Sequence, residues 1–198
     1  MAGMPASGVA APPSGPGADT GGTESPQKTI AALNGVPVSS AGSEKQLDKS
    51  VVTFSNRPMA IDADGSGDAW KHDPTGQPTT SLQIHGQSLN PTVTPYIVIP
   101  NGFPNGKLGD YVAVSYNGKT TFAIIGDVGP RLGEGSIALA RSLGIPPSPT
   151  SGGVPNGVAY TIIQDSRDKE PPQDPDVIQQ RGQEILQQKG MALGPGAQ

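Results

Sequence analysis

Apolar residues along this chain gather into short runs that start near residue 51 and fade after residue 163, with polar, glycine- and proline-bearing connections between them. The first run is Val51-Val52-Thr53-Phe54, and a second is Tyr96-Ile97-Val98-Ile99, closed by Pro100 and the turn-rich Asn101 to Gly106. Tyr111 to Tyr116 and Lys119 to Ile125 then flank Asn117-Gly118, a pair in which both residues tolerate positive φ and which is the strongest short hairpin signal. Gly157 to Ile163 reads as a last strand. Between these runs the spacing changes to a helical one over Ser136 to Leu143, with Ser136 as N-cap and Gly144 just past the end. A second helix is predicted over Asp176 to Lys189, with Pro175 at its first position and Gly190 after its last turn; its apolar stripe is thin among many glutamines.

Short strands with long connections and one inserted helix predict a mainly β fold rather than βαβ units. The expected architecture is a small six-stranded β-barrel of double-psi-like type, between a disordered leader and a C-terminal helix. The leader, residues 1–48, is rich in Ala, Pro, Gly, Ser and Thr, and cannot bury enough surface to offset its ordering entropy. Within it, Ile30, Leu33, Val36 and Val38 form a weak apolar patch that could dock on the body. The body is expected over 49–165, and 166–198 is read as a polar linker with its appended helix.

Composition adds limits. Gly 28 and Pro 22 make about a quarter of the 198 residues, with 33% hydrophobic and 4% aromatic, low values for a globule packed throughout. A net charge of −4 argues against a nucleic-acid partner, which needs clustered Lys and Arg. No apolar run reaches membrane-spanning length, so no membrane partner is expected. The absence of cysteine excludes disulfides, thiolate metal sites and a Cys nucleophile. No phosphate loop, dinucleotide fingerprint or Ser-His-Asp arrangement is visible, so no cofactor is called for. The first residues lack a charged and an apolar region, so no conventional secretion signal is read there.

Candidate chemistry concentrates in Ile125 to Ser136, where Asp127 and Glu134 stand seven positions apart in a glycine-rich stretch that follows a strand and precedes a helix. Paired carboxylates on stiff connections are what glycosidic hydrolysis needs: one protonates the leaving oxygen, the other activates water or stabilises the cationic sugar. The bland readings are a turn aspartate that bonds nearby amides and a helix-start glutamate whose acidity the dipole strengthens. The spacing is compatible with either retaining or inverting separation. A second acidic stretch, Asp62-Ala63-Asp64-Gly65 to Asp73, lacks the terminal Glu of a calcium loop, and no metal is assigned to it. It reads as an acidic wall for a cationic ligand, with Trp70, the only tryptophan, offering a face for sugar stacking. His72 and His85 have no third ligand at metal spacing and are read as structural.

Several segments in order resemble the fungal-type chitosanases of glycoside hydrolase family 75: Met59 to Gly65, Thr94 to Pro100, Gly109 to Lys119, Ile125 to Pro130, Gly133 to Ile145 and Gly152 to Tyr160. The resemblance covers roughly residues 51 to 165. It implies an endo-acting, inverting hydrolase on partially deacetylated chitosan or a related amino-sugar polymer, with Asp127 and Glu134 catalytic. Asp127 would be the base and Glu134 the acid, although the assignment could be reversed. Asp62 and Asp64 match the family's acidic DxDG motif and would help bind glucosamine cations or hold the loop. The resemblance also implies a secreted or extracytoplasmic protein. The competing expectations are a non-catalytic carbohydrate- or cell-wall-binding module and an exported effector; oligomeric state is left open.

Overall fold

A computed structural model describes residues 49–192 of the chain, together with the backbone of 32–33, 36–37 and 39–40. The expected leader, and Ile30 and Val38 of its apolar patch, otherwise lie outside the described residues. Six strands close into a barrel: β1 Val51–Asp62, β2 Tyr96–Pro100, β3 Tyr111–Tyr116, β4 Lys119–Gly129, β5 Glu134–Ser136 and β6 Val154–Ile163. Around the ring the order is β5-β1-β6-β3-β4-β2, returning to β5. β5 runs parallel to β1 and β2 parallel to β4, and every other neighbour is antiparallel. Two parallel pairs in a six-stranded ring distinguish it from a simple up-and-down meander. The mainly β barrel expected from the sequence is the fold observed.

The hairpin between β3 and β4 turns at Asn117 (φ 47) and Gly118 (φ 78), the left-handed pair that a two-residue turn matched to strand twist demands. β2, β3, the middle of β4 and the end of β6 are buried on both faces, which is why they read as continuous apolar runs. One face of the wall fills the barrel with Ile97, Ile99, Val112, Val114, Ala123, Ile125, Tyr160 and Ile162. The helix α1, Ile137–Leu143, adds Ile137, Leu139, Ala140 and Leu143 to that interior. Its ends are those expected: Ser136 Oγ accepts from the Leu139 amide, and Gly144 takes the left-handed position.

The outer face carries Tyr96, Val98, Tyr111, Ala113, Phe122, Ile124 and Ile163. The helix α2, Pro175–Gln188, covers part of it with Ile178, Ile185 and Leu186. Asp174 caps α2 by accepting from the amides of Asp176 and Val177. Gln179 Oε1 accepts from the Phe122 amide at 2.9 Å, and the Arg181 guanidinium forks onto Asp168, which also accepts from the Tyr111 hydroxyl. The connecting segment is pinned as well, because buried Asp110 accepts from the amides of Ser166 and Arg167.

Several strands run beyond the sequence reading. β1 continues past Phe54 to Asp62, β6 begins at Val154, β4 continues past Ile125 to Gly129, and Glu134, just before α1, opens the short strand β5. The glycine-rich connection therefore shrinks to residues 130–133. Its flanks are recruited into the barrel by parallel pairing with β2 and β1, a long-range force that local composition does not report.

Gly182 tests the docking of α2. A Cβ there would come within 2.3 Å of the buried Phe122 ring. Gly182→Val should cost about 1–3 kcal/mol through overpacking, and thermal unfolding should show a melting point lowered by several degrees. An unchanged melting point would mean that α2 does not pack here.

Candidate active site

The barrel wall β4–β2–β5–β1 carries the acidic site on its outer face, and strand register decides which residues share that face. β2 and β4 pair Ile97 with Ile125, but then Val98 with Asp127, so Gly126 is an extra residue in β4. This bulge breaks the alternation: Ile125 points into the barrel, and Asp127 joins Val98 outside instead of following it inward. Gly126 is obligatory, since a Cβ would stand 2.6 Å from the Tyr96 side chain and 2.7 Å from Leu89.

Gly135 pairs with Ile97 across the antiparallel β5–β2 contact, which sets Glu134 beside Val98. Glu134 also pairs with Ala60, and Ser136 with Asp62. Asp127, Val98, Glu134 and Ala60 therefore form one row across four strands. With neighbouring strands about 4.8 Å apart, the backbones of the two acids stand about 9–10 Å apart with Val98 between them. A Cβ on Gly129 would lie 2.8 Å from Val98 and 3.6 Å from Glu134 Oε2, so the glutamate leans back over the valine towards β4.

The two carboxyls sit in different surroundings. Asp127, only 6% exposed, uses Oδ1 to accept from the Ser81 amide at 2.9 Å, the Ser81 hydroxyl and its neighbour Val128's amide at 2.7 Å. Oδ2 has no protein partner among the described residues. Glu134 is half-buried. Burial pushes its proton affinity above the ordinary carboxylate range, opposed by Arg131 and supported by Asp73 and Asp127. The Arg131 Nε lies 3.6 Å from Glu134 Oε1. Because Glu134 lies in a strand, the acid-strengthening position at a helix start does not apply to it.

An open cleft of about 440 Å³ joins these groups. Its lining includes five carboxylates, Asp62, Asp64, Asp73, Asp127 and Glu134, against the single cation Arg131. Asp62 projects from the end of β1 and accepts from the Asp64 amide at 2.8 Å. Burial lifts its carboxyl to about 7; that amide opposes the shift, and the charges of Asp64, Asp127 and Glu134 add to it. Asp64 accepts from the Gln77 amide and is raised to about 6, again chiefly by burial.

Both catalytic candidates and both aspartates of the acidic motif thus meet in one cleft. Trp70 is not among its lining residues: it sits half-buried in the turn Ala69–His72, with the Lys71 ammonium 5.8 Å from its ring centroid. Asp73 and Thr75 lie beyond that turn and do line the cleft. Asp73 closes the acidic stretch read from the sequence, whereas Thr75 and Ser81 did not stand out, because nothing local to residues 75–81 records that the loop folds back onto β4. Among the described residues, no three His, Asp or Glu side chains are arranged to hold a metal ion.

A family model described as fungal chitosanase of glycosyl hydrolase group 75 matches residues 59–194. The match includes every carboxylate of the cleft and reaches past α2. No curated protein matches the chain.

A carboxyl raised in the folded state binds its proton more tightly there than in the unfolded chain. Stability is then full below about pH 4 and falls as pH rises towards 7, the value to which Asp62 is lifted. Asp62→Asn keeps an acceptor for the Asp64 amide and removes the ionisation. It should raise stability at pH 8 by an amount on the order of 3 kcal/mol and leave it little changed near pH 3.5, as read by denaturant unfolding. Equal stability of the two proteins at pH 8 would contradict the buried charge.

Proposed function

This chain belongs to the fungal chitosanase family, glycosyl hydrolase group 75, and we propose from its site that it cleaves internal β-1,4 bonds of chitosan by a single displacement. The chain is a glycoside hydrolase that acts on chitosan; the endo mode, the bond and the stereochemistry are the proposal. One observation carries it. Two carboxyls stand on one row either side of Val98, one held by donors through a single oxygen and the other half-buried and raised. Their backbones stand two interstrand spacings apart, about 9–10 Å, and a single displacement needs room for a water molecule beside the sugar between the two acids.

In this reading the free Oδ2 of Asp127 takes a proton from water as the water oxygen attacks C1. Glu134, whose proton affinity burial raises, gives a proton to the glycosidic oxygen as the C1–O bond breaks. The Arg131 guanidinium then faces the carboxylate that remains. Solvent later resets both groups. The acidic lining attracts the ammonium groups of glucosamine units, whereas a neutral polymer would gain nothing from it. A polymeric substrate fits a secreted or extracytoplasmic enzyme. No described helix is long and apolar enough to cross a membrane. A binding module that had lost catalysis would have no need to hold its two carboxyls in such different environments.

Asp127→Asn and Glu134→Gln should each lower kcat on chitosan by about 10²–10⁴-fold, measured as release of shortened oligosaccharides. The first product seen by proton NMR should be the α-anomer. A β-anomer would overturn the single displacement, and undiminished cleavage by either variant would overturn the catalytic assignment.

Because Arg131 lowers Glu134, Arg131→Ala should move the alkaline limb of the pH–rate profile to higher pH. KM for chitosan should rise with salt, since screening weakens the attraction between the acidic cleft and a polycation.

A further inference from the structure

Ser81 lies 46 residues before Asp127 in the chain, yet it bonds the proposed base through both its amide and its hydroxyl. Its amide and its hydroxyl both donate to Oδ1 of Asp127, and its Oγ also receives the Val128 amide at 3.2 Å. The next residue repeats the attachment one step back along β4: the Leu82 amide donates to the Gly126 carbonyl at 2.9 Å. Two consecutive residues of the loop thus bond the two consecutive residues that make and follow the bulge.

The loop is itself fixed at this point. Thr80 and Leu82, on either side of Ser81, are buried at 3% and 7% exposure. The Thr80 hydroxyl donates to the Leu82 carbonyl and accepts from the Leu89 amide, while the Thr80 amide donates to Ser88 Oγ. Leu89 packs against Gly126 from the same side. Ser81 is therefore a polar residue held between two buried anchors, with its donors aimed at one oxygen of one carboxylate.

We propose that Ser81 is the positioning residue for the reaction: by engaging Oδ1 twice it fixes the Asp127 carboxylate plane and reserves Oδ2 for the attacking water. This rests on the catalytic reading of Asp127 given above. An unclamped aspartate could rotate about χ1 and χ2, and displacement of a reacting atom by about 1 Å is enough to cost on the order of 10²-fold in rate. Ser81 is not among the residues that line the cleft, so its effect is expected in kcat rather than in KM.

Ser81→Ala and Ser81→Thr, assayed on chitosan beside wild type and Asp127→Asn, test this. Ser81→Ala should lower kcat by about 10–10²-fold with KM within twofold. The melting point should stay close to that of wild type. Ser81→Thr, which keeps the hydroxyl, should recover most of the rate. Full kcat in Ser81→Ala, or a loss that threonine does not relieve, overturns the positioning role while leaving Asp127 as base. Activity that survives in Asp127→Asn overturns the catalytic reading and this proposal with it.

Discussion

Gly126 is pressed between the Tyr96 side chain and Leu89 with no space for a Cβ, and the extra residue it contributes to β4 turns the following side chain outward. Without that bulge, strand alternation would send the Asp127 carboxylate into a barrel interior lined by Ile97, Ile99 and Ile125, where a charge has no solvation. With it, the carboxylate reaches the outer face beside Val98 and within range of the amides of Ser81 and Val128. The cleft, the clamp and the placement of Glu134 opposite all presuppose this local change of parity. Bulges next to active sites commonly re-aim one side chain in this way.

The cleft gathers five carboxylates close enough that each of Asp62, Asp64 and Glu134 is pushed towards its neutral form by its neighbours as well as by burial. Backbone amides offset part of that cost: Asp64 to Asp62, Gln77 to Asp64, and Ser81 with Val128 to Asp127. The remaining self-repulsion is what a polycation relieves on binding. A site that is least comfortable when empty and ionised is thereby adapted to hold ammonium groups, and the same repulsion keeps protons available at mildly acidic pH. Stability and substrate attraction draw on one electrostatic source with opposite signs.

Much of the barrel was legible because β2, β3, the middle of β4 and the end of β6 are buried on both faces and read as unbroken apolar runs, with Asn117-Gly118 marking the hairpin between two of them. The caps of α1 and α2 were equally clear, since Ser136, Gly144, Asp174 and Pro175 act locally. Asp127, Glu134, Asp62 and Asp64, singled out in the sequence, all line one cleft. What the sequence hid depends on pairing over long distances. The extension of β4 to Gly129 and the strand status of Glu134 arise from β2 and β1, whose partners lie 29 positions (Val98 to Asp127) and 74 positions (Ala60 to Glu134) away. Ser81 and Thr75 sit in a polar loop whose fold is decided by where it lands, so no periodicity points to them. Trp70, singled out for its aromatic face, stands outside the lining of the cleft.

Val98 has a wider consequence. It occupies the one strand between the two acids, so their backbones are held two interstrand spacings apart, a length dictated by backbone hydrogen bonding in any sheet. The connection 130–133 does not set that width; it only has to join two strands already held apart. Relatives could therefore gain or lose residues there and keep the same stereochemistry. An enzyme built this way carries its ruler in the β-sheet and leaves the loop free to drift.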